Sequence, residues 1–462
     1  MNTPFAKAKS VVDLIGNTPL VELKNMNSGP CRLFVKLENQ NPGGSIKDRI
    51  ALSMIEAAEK EGRIRPGGTL VEATAGNTGL GLALVAALKG YRLILVIPDK
   101  MSREKVAHLK AMGAQVRMTR SDVGKGHPEY YQDVAERIAR ETPNAFYVNQ
   151  FANPANPAAH ENSTGPEIWD QLDHQVDAVI CGVGSGGTLT GLSRFFGRVS
   201  PRTEIVLADP KGSILFDHIM TGKKIEPGSW LVEGIGEDFI PDVADLSRCK
   251  KAFLVSDQES FETARALLRQ EGILAGSSSG TLIAAALRYC REQTSPKNVV
   301  TFVCDSGNKY LSKMFNDEWM TDQGMLSRPA FGDLRDLIAR LYEERETVTI
   351  GPDETLASAF KKMRLHDVSQ LPVLKDGQVV GILDESDMLA QVSPTGAGFT
   401  APVRESMTSK IETITPAATV EQLQKLFAEG KVAIVEEKGR FFGLITRIDL
   451  LRHLRGKSLS MN

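Results

Sequence analysis

The chain has 462 residues, 42% of them hydrophobic and 24% charged, which is ordinary for a globular protein able to bury sizeable cores in about three folding units. Its 55 basic and 57 acidic residues leave a net charge of -2, so no overall field favours nucleic acid or an anionic membrane as partner. Five dispersed cysteines, with no C-x-x-C pair, exclude a disulfide scaffold and a sequence-local zinc site.

The first ten residues carry positive charge, but no apolar stretch follows, so no Sec signal is read there. No apolar run approaches the roughly 18 residues that span a bilayer, and a cytoplasmic location is expected. From about residue 12 to 320, short apolar runs alternate with longer helical stretches. Strands are predicted at 33–37, 70–73, 93–97, 178–181, 205–208 and 299–304, and helices at 50–61, 104–112 and 131–141. Near-continuous apolar strands indicate a parallel sheet covered on both faces, hence an α/β enzyme core.

Four loops in this region carry chemistry. In Asn41-Pro-Gly-Gly-Ser-Ile-Lys47-Asp-Arg49 a turn-rich loop opens into a helix and puts Lys47 at its start. Unpaired N–H groups and the helix dipole disfavour an ammonium there, and a lysine of lowered pKa is what Schiff-base chemistry requires. In Glu72-Ala-Thr-Ala-Gly-Asn-Thr-Gly79 a strand runs into a glycine turn and a helix, offering N–H groups with Thr74, Asn77 and Thr78 to an anion such as a carboxylate. An ordinary helix cap explains the same residues. Gly182-Val-Gly184-Ser-Gly186-Gly187-Thr188 satisfies G-x-G-x-x-G, and Asp209 follows the next strand. That pattern fits either a dinucleotide site, making the chain an NAD-dependent oxidoreductase, or a cradle for one phosphate. The fourth, Ala275-Gly-Ser-Ser-Ser-Gly-Thr281, reads as serines at a strand end, serving as a cap or presenting a hydroxyl to a ring nitrogen.

A turn-rich linker is read at 321–332. Beyond it lies an internal repeat: Val348-Thr-Ile-Gly-Pro aligns with Glu412-Thr-Ile-Thr-Pro, and Gly381-Ile-Leu-Asp-Glu-Ser-Asp387 with Gly443-Leu-Ile-Thr-Arg-Ile-Asp449. Each unit reads as strand–helix–strand–strand–helix, over 333–392 and 402–456, and the two are expected to face one another.

Taken together with Ile15-Gly-Asn-Thr-Pro-Leu20, the four loops resemble the fold-type II pyridoxal-phosphate enzymes, in the branch of cysteine synthase and cystathionine β-synthase. The repeat resembles a tandem CBS-domain pair (a Bateman module), as found behind the catalytic domain of cystathionine β-synthases. The segments Ala208-Asp-Pro-Lys-Gly-Ser213, Val232-Glu-Gly-Ile-Gly236 and Asp305-Ser-Gly-Asn-Lys-Tyr-Leu-Ser312 point the same way. The resemblance implies an α/β catalytic domain of two three-layer lobes over 1–320, followed by an α+β tail. It implies pyridoxal 5'-phosphate as cofactor and condensation of L-serine with L-homocysteine to L-cystathionine, with side reactions that form hydrogen sulfide. O-acetylserine sulfhydrylase is the neighbouring activity.

The resemblance also implies roles. Lys47 carries the cofactor and then takes the substrate α-proton; Gly184, Ser185, Gly186, Gly187 and Thr188 hold its phosphate; Asn77 meets its 3′-oxygen; Ser278 faces the pyridine nitrogen. Thr74, Ala75, Thr78 and Gln150 hold the substrate carboxylate, Ala75 through its backbone because it stands where Ser is usual. Glu161 stands where serine-using relatives carry Tyr, which leaves serine or O-acetylserine open as electrophile. Nothing like the haem-binding N-terminal extension of vertebrate enzymes precedes the catalytic domain, so no haem is expected. In the tail, Thr446 and Asp449 match a ribose-binding pattern of which the first repeat keeps Asp387, with Asp384 in the threonine position. An adenosyl ligand is thus implied at the second repeat, although Ser369 replaces the Asp of S-adenosylmethionine-responsive enzymes. A homodimer or tetramer is implied as well.

Overall fold

The computed structural model describes residues 8–74, 76–99, 103–120, 122–124, 126–223, 225–327, 330–392 and 398–459. It divides into two compact units, Met1–Phe315 and Asn316–Asn462.

The first unit is built on two sheets. Its strands are β1 (Leu20–Leu23), β2 (Arg32–Leu37), β3 (Thr69–Ala73), β4 (Arg92–Pro98), β5 (Gln115–Thr119), β6 (Ala145–Tyr147), β7 (Ala178–Cys181), β8 (Glu204–Pro210), β9 (Cys249–Val255) and β10 (Asn298–Val303). The order is β1-β2-β10-β7-β8-β9 in one sheet and β5-β4-β3-β6 in the other. All pairings are parallel except β1 with β2. Every residue of β3 and β7 is buried, as their unbroken apolar character requires of central strands covered on both faces.

The covering helices are α1 (Lys47–Lys60), α2 (Asn77–Lys89), α3 (Arg103–Ala111), α4 (Tyr131–Glu141), α5 (Ala155–Ala159), α6 (Gly165–Gln171), α7 (Gly187–Val199), α8 (Leu215–Thr221), α9 (Asp257–Glu271) and α10 (Ser277–Arg291). A single π-helical turn, His160–Thr164, joins α5 to α6. α1 and α2 bury Ile50, Met54, Leu80 and Leu82 with Leu70 and Leu95 of the small sheet. The predicted strands and helices all occur within a few residues of their expected bounds. β1, β5, β6 and β9 were not anticipated. The serine cluster at 275–281 does not follow a strand: Ala275 makes an isolated bridge with Ser306, and α10 begins at Ser277.

In the second unit α11 (Asp317–Asp322) begins before the expected linker and overlaps its start. The first repeat contains α12 (Leu356–His366), β11 (Gln370–Lys375), β12 (Gln378–Asp384) and α13 (Glu385–Gln391); an isolated bridge, Ile350 to Val373, stands where its leading strand was expected. The second contains β13 (Thr413–Ile414), α14 (Val420–Ala428), β14 (Ala433–Glu437), β15 (Arg440–Ile445) and α15 (Arg447–Leu459). Each has its own apolar core, but the connecting segments cross over. Leu334, Leu337 and Ile338 fill the core of the second repeat, whereas Ala401 and Val403 fill that of the first. Among the described residues, no helix is long and apolar enough to cross a membrane.

Candidate active site

Lys47 is the first residue of α1, and its loop is clamped to the end of β10: Ile46 N–H donates to the Cys304 carbonyl at 2.8 Å, and Ser45 bridges Asp305. Close by on α1, Arg49 fixes the helix start from inside. Its guanidinium reaches Glu38 at 2.7 Å and Glu167 at 2.6 Å; Lys36 also reaches Glu167 at 2.7 Å, and Thr18 donates to Glu38 at 2.7 Å. This buried network explains the Ile15–Leu20 motif, because Thr18 is one of its members. The Lys47 amine itself makes no hydrogen bond to a described residue. Burial pushes it below the ordinary lysine range, against the pull of Cys304, Asp305 and Glu237.

Three long helices start around this amine. α2, α7 and α10 contain no acidic residue in their first turns, although the dipole attracts acids there. At the start of α2, Asn77 donates to Asp305 Oδ2 at 2.8 Å and accepts from Lys309 Nζ at 2.8 Å. Its second amide hydrogen remains for a ligand oxygen. Thr78 donates to Gln150 Oε1 at 2.7 Å, and the buried Thr74 accepts Gly76 N–H at 3.3 Å. Thr78 and Gln150 are therefore paired, with Thr74 in the turn that leads into α2; Ala75 lies outside the described residues.

At the start of α7, Gly184–Thr188 follow β7 closely. A Cβ on Gly187 would stand 1.8 Å from Asn156 Oδ1, and one on Gly184 would stand 2.5 Å from the Gly234 carbonyl. Gly186 has φ of 84°, a left-handed conformation suited to glycine. Asn156, which the sequence reading missed, donates to Ser185 Oγ at 2.9 Å and to the Gln150 carbonyl at 2.7 Å, tying the two loops together. His160, also missed, meets Thr188 Oγ1 through Nε2 at 3.2 Å and Thr164 through Nδ1 at 2.9 Å. Burial pushes it well below the usual histidine range, helped by Lys47 and Arg49, so it is neutral.

At the start of α10, Ser278 is buried beside Cys304, whose thiol is pushed up to about 12 by burial. Ser279 Oγ accepts Cys304 N–H at 2.9 Å, and Ser277 Oγ accepts Glu233 N–H at 3.0 Å. A desolvated amine with no hydrogen bond to a described residue, helix starts free of acid and a neutral hydroxyl fit pyridoxal phosphate: an aldehyde for the amine, backbone N–H groups for the phosphate and a hydroxyl for the ring nitrogen.

Two sequence signals acquire other roles. Asp209, the acid of the dinucleotide pattern, accepts Phe216 N–H at 2.8 Å and caps the start of α8. Glu161 pairs with Arg198 and, at 3.9 Å, with Arg194 on α7.

In the second unit, Thr446 and Asp449 border a cavity of about 580 Å³ that Ser369 also lines. Asp449 Oδ2 accepts both the N–H and the hydroxyl of Thr446, at 2.7 and 2.5 Å. Its other oxygen lies 3.6 Å from Arg452, which pairs with Asp322 at 2.9 Å and Glu318 at 3.1 Å. Asp384 and Asp387 of the first repeat cap α13 reciprocally.

The pyridoxal-phosphate dependent enzyme family matches residues 11–305, and the CBS domain matches 336–393 and 403–456. Cystathionine β-synthase of Dictyostelium discoideum is 36% identical over 460 residues, covering 96% of this chain and 92% of the relative. Cysteine synthase A of Escherichia coli is 42% identical over 312 residues, covering 67% of this chain and 95% of the relative. A crystal structure of a hydrogen sulfide-producing enzyme from Fusobacterium nucleatum aligns with a TM-score of 0.62 at 39% identity, over 66% of this chain and 100% of that one.

Proposed function

This chain belongs to the pyridoxal-phosphate dependent enzymes, and within them to the cystathionine β-synthases that carry a CBS pair; from that premise we infer that it condenses L-serine with L-homocysteine to L-cystathionine. The observation that carries the reading is the Lys47 amine, desolvated below the ordinary lysine range and without a hydrogen bond to a described residue, set among three acid-free helix starts.

Bound pyridoxal phosphate supplies the electron sink that lets the substrate α-proton and β-substituent leave. The chain supplies position and proton transfer. Lys47, with its lowered pKa, is the base at the substrate α-carbon and the residue that carries the cofactor. The backbone of 184–188 with Ser185 and Thr188 holds the phosphate, Asn77 the ring oxygen, and Ser278 the ring nitrogen. Ser278, a neutral hydroxyl, stabilises a charged ring less than a carboxylate would, which favours loss of a β-leaving group. Thr74, Thr78, Gln150 and the backbone at Ala75 orient the substrate carboxylate. The relation to cysteine synthase A favours a second reading, sulfide addition to O-acetylserine. Turnover of L-serine and O-acetylserine, each with homocysteine and with sulfide, separates the two. Faster cystathionine formation from serine and homocysteine is expected, and preferential cysteine formation from O-acetylserine contradicts it.

The 580 Å³ cavity beside Thr446 and Asp449 supports an adenosyl-nucleoside site in the second repeat. A homodimer or tetramer in the cytoplasm accords with the family.

A further inference from the structure

Glu72 stands on β3 two residues before Thr74, at 0% exposure, and neither carboxyl oxygen has a well-formed hydrogen bond among the described residues. Unpaired buried polar groups are rare because each forfeits its hydration without replacement. The surrounding core has no use for a carboxyl: Leu70 on the same side of β3 and Leu95, register partner of Glu72 on β4, belong to an apolar cluster with Ala51, Met54, Leu80 and Val148. What lies against the carboxyl is the turn after β6. There Asn149 takes a φ of 47°, and the N–H groups of Asn149 and Gln150 and the Gln150 amide act on the acid. Burial pushes Glu72 up to about 8 despite those donors, so at neutral pH it is a neutral acid.

Gln150 is held at its other polar atoms. Its Oε1 accepts from Thr78, and its carbonyl accepts from Asn156. Only Nε2 remains, with one hydrogen for Glu72 and one for a ligand carboxylate.

We propose that Glu72 is a positioning residue for the substrate carboxylate: protonated, it steadies the Gln150 amide with one N–H toward the substrate; ionised, it draws that amide away and opposes the substrate's own negative charge. The proposal rests on the assignment of Gln150 to that carboxylate. Substrate and the Glu72 proton then bind with reciprocal linkage, each favouring the other. Among titratable neighbours, Tyr147 on β6 feels Glu72, but burial pushes its phenol up and keeps it neutral. Lys47 and the substrate amine titrate nearby in every variant, so the signal is the difference between variants.

The test is kcat and KM for L-serine between about pH 7 and about pH 9, on pyridoxal-phosphate-loaded wild type, Glu72→Gln and Gln150→Ala. The wild-type KM should rise roughly tenfold relative to that of Glu72→Gln across this range, with the ratio of kcat values unchanged. Gln150→Ala should have a raised KM throughout. Parallel KM profiles for wild type and Glu72→Gln overturn the proposal. If KM is raised in Gln150→Ala while those profiles stay parallel, only the role of Glu72 fails. An unchanged KM in Gln150→Ala removes the carboxylate assignment as well. Should Glu72→Gln not retain cofactor, Glu72→Leu takes its place; loss of cofactor absorbance in both assigns Glu72 to the fold and overturns the proposal.

Discussion

In the catalytic unit Asp305 Oδ1 and Asn156 Oδ1 are buried without partners among the described residues, and the Lys47 amine makes no hydrogen bond to a described residue. Around Thr446 and Asp449 the tail pairs its polar atoms internally, Asp449 with Thr446 and Arg452, and Arg452 with Glu318 and Asp322. An unpaired buried group costs about 1–3 kcal/mol of folding free energy, so several together mark a place whose partners arrive with cofactor and substrate. A satisfied site costs nothing when empty, and its ligand must displace existing pairs. The first arrangement suits obligatory chemistry, the second reversible occupancy.

The largest effect that sharpens this contrast is at Lys47. Lys47→Ala should lower turnover by roughly 10³-fold or more while its thermal midpoint stays level or rises, because a desolvated amine with no hydrogen bond to a described residue is removed. Parallel turnover and melting measurements check it. Next is Arg49, whose buried pairs hold the start of α1. Arg49→Ala leaves the buried Glu38 without a cation and Glu167 with Lys36 alone, and should cost about 4 kcal/mol in denaturant unfolding. Glu72 gives a pH signature. The folded chain keeps its proton up to about 8, whereas the unfolded chain releases it near 4.5. The folded state therefore binds more protons in this window, and stability falls as pH rises through it. Relative to wild type, Glu72→Gln should gain on the order of 5 kcal/mol by about pH 8.5, read from unfolding curves across the window. The smallest effect belongs to the tail: Asp449→Ala should weaken binding of adenosine nucleotides about tenfold in calorimetry, the size of one charge-assisted hydrogen bond.

Much of the catalytic site is legible in the sequence because each loop joins a buried strand to a long helix, and local spacing alone sets Lys47, Asn77 and 184–188 at helix starts. Asn156, His160 and Asp305 escape such reading, since their roles depend on contacts with Ser185, Thr188 and Asn77, far along the chain. Glu72 was visible within its motif, but its isolation appears only when the turn at Asn149 is folded against it. The missed strands β1, β5 and β9 are sheet edges, and β6 has three residues. β5 shows why: Gln115–Thr119 buries none of its residues fully, so it lacks the apolar run that betrays a central strand. In the tail, the repeat is legible from its offset, while the crossing of Leu334 and Val403 into opposite cores is not. Apolar residues at those positions satisfy either core equally.

The central claim, that Lys47 is the base serving a serine-to-cystathionine replacement, is tested most directly by exchange at the substrate α-carbon. Wild-type protein loaded with pyridoxal phosphate, incubated with L-serine in deuterated water, should exchange the α-proton and, once L-homocysteine is added, form cystathionine. Lys47→Ala with the cofactor bound should do neither. Exchange by that variant at the wild-type rate, or a wild type that exchanges the proton yet forms no cystathionine, would contradict the account.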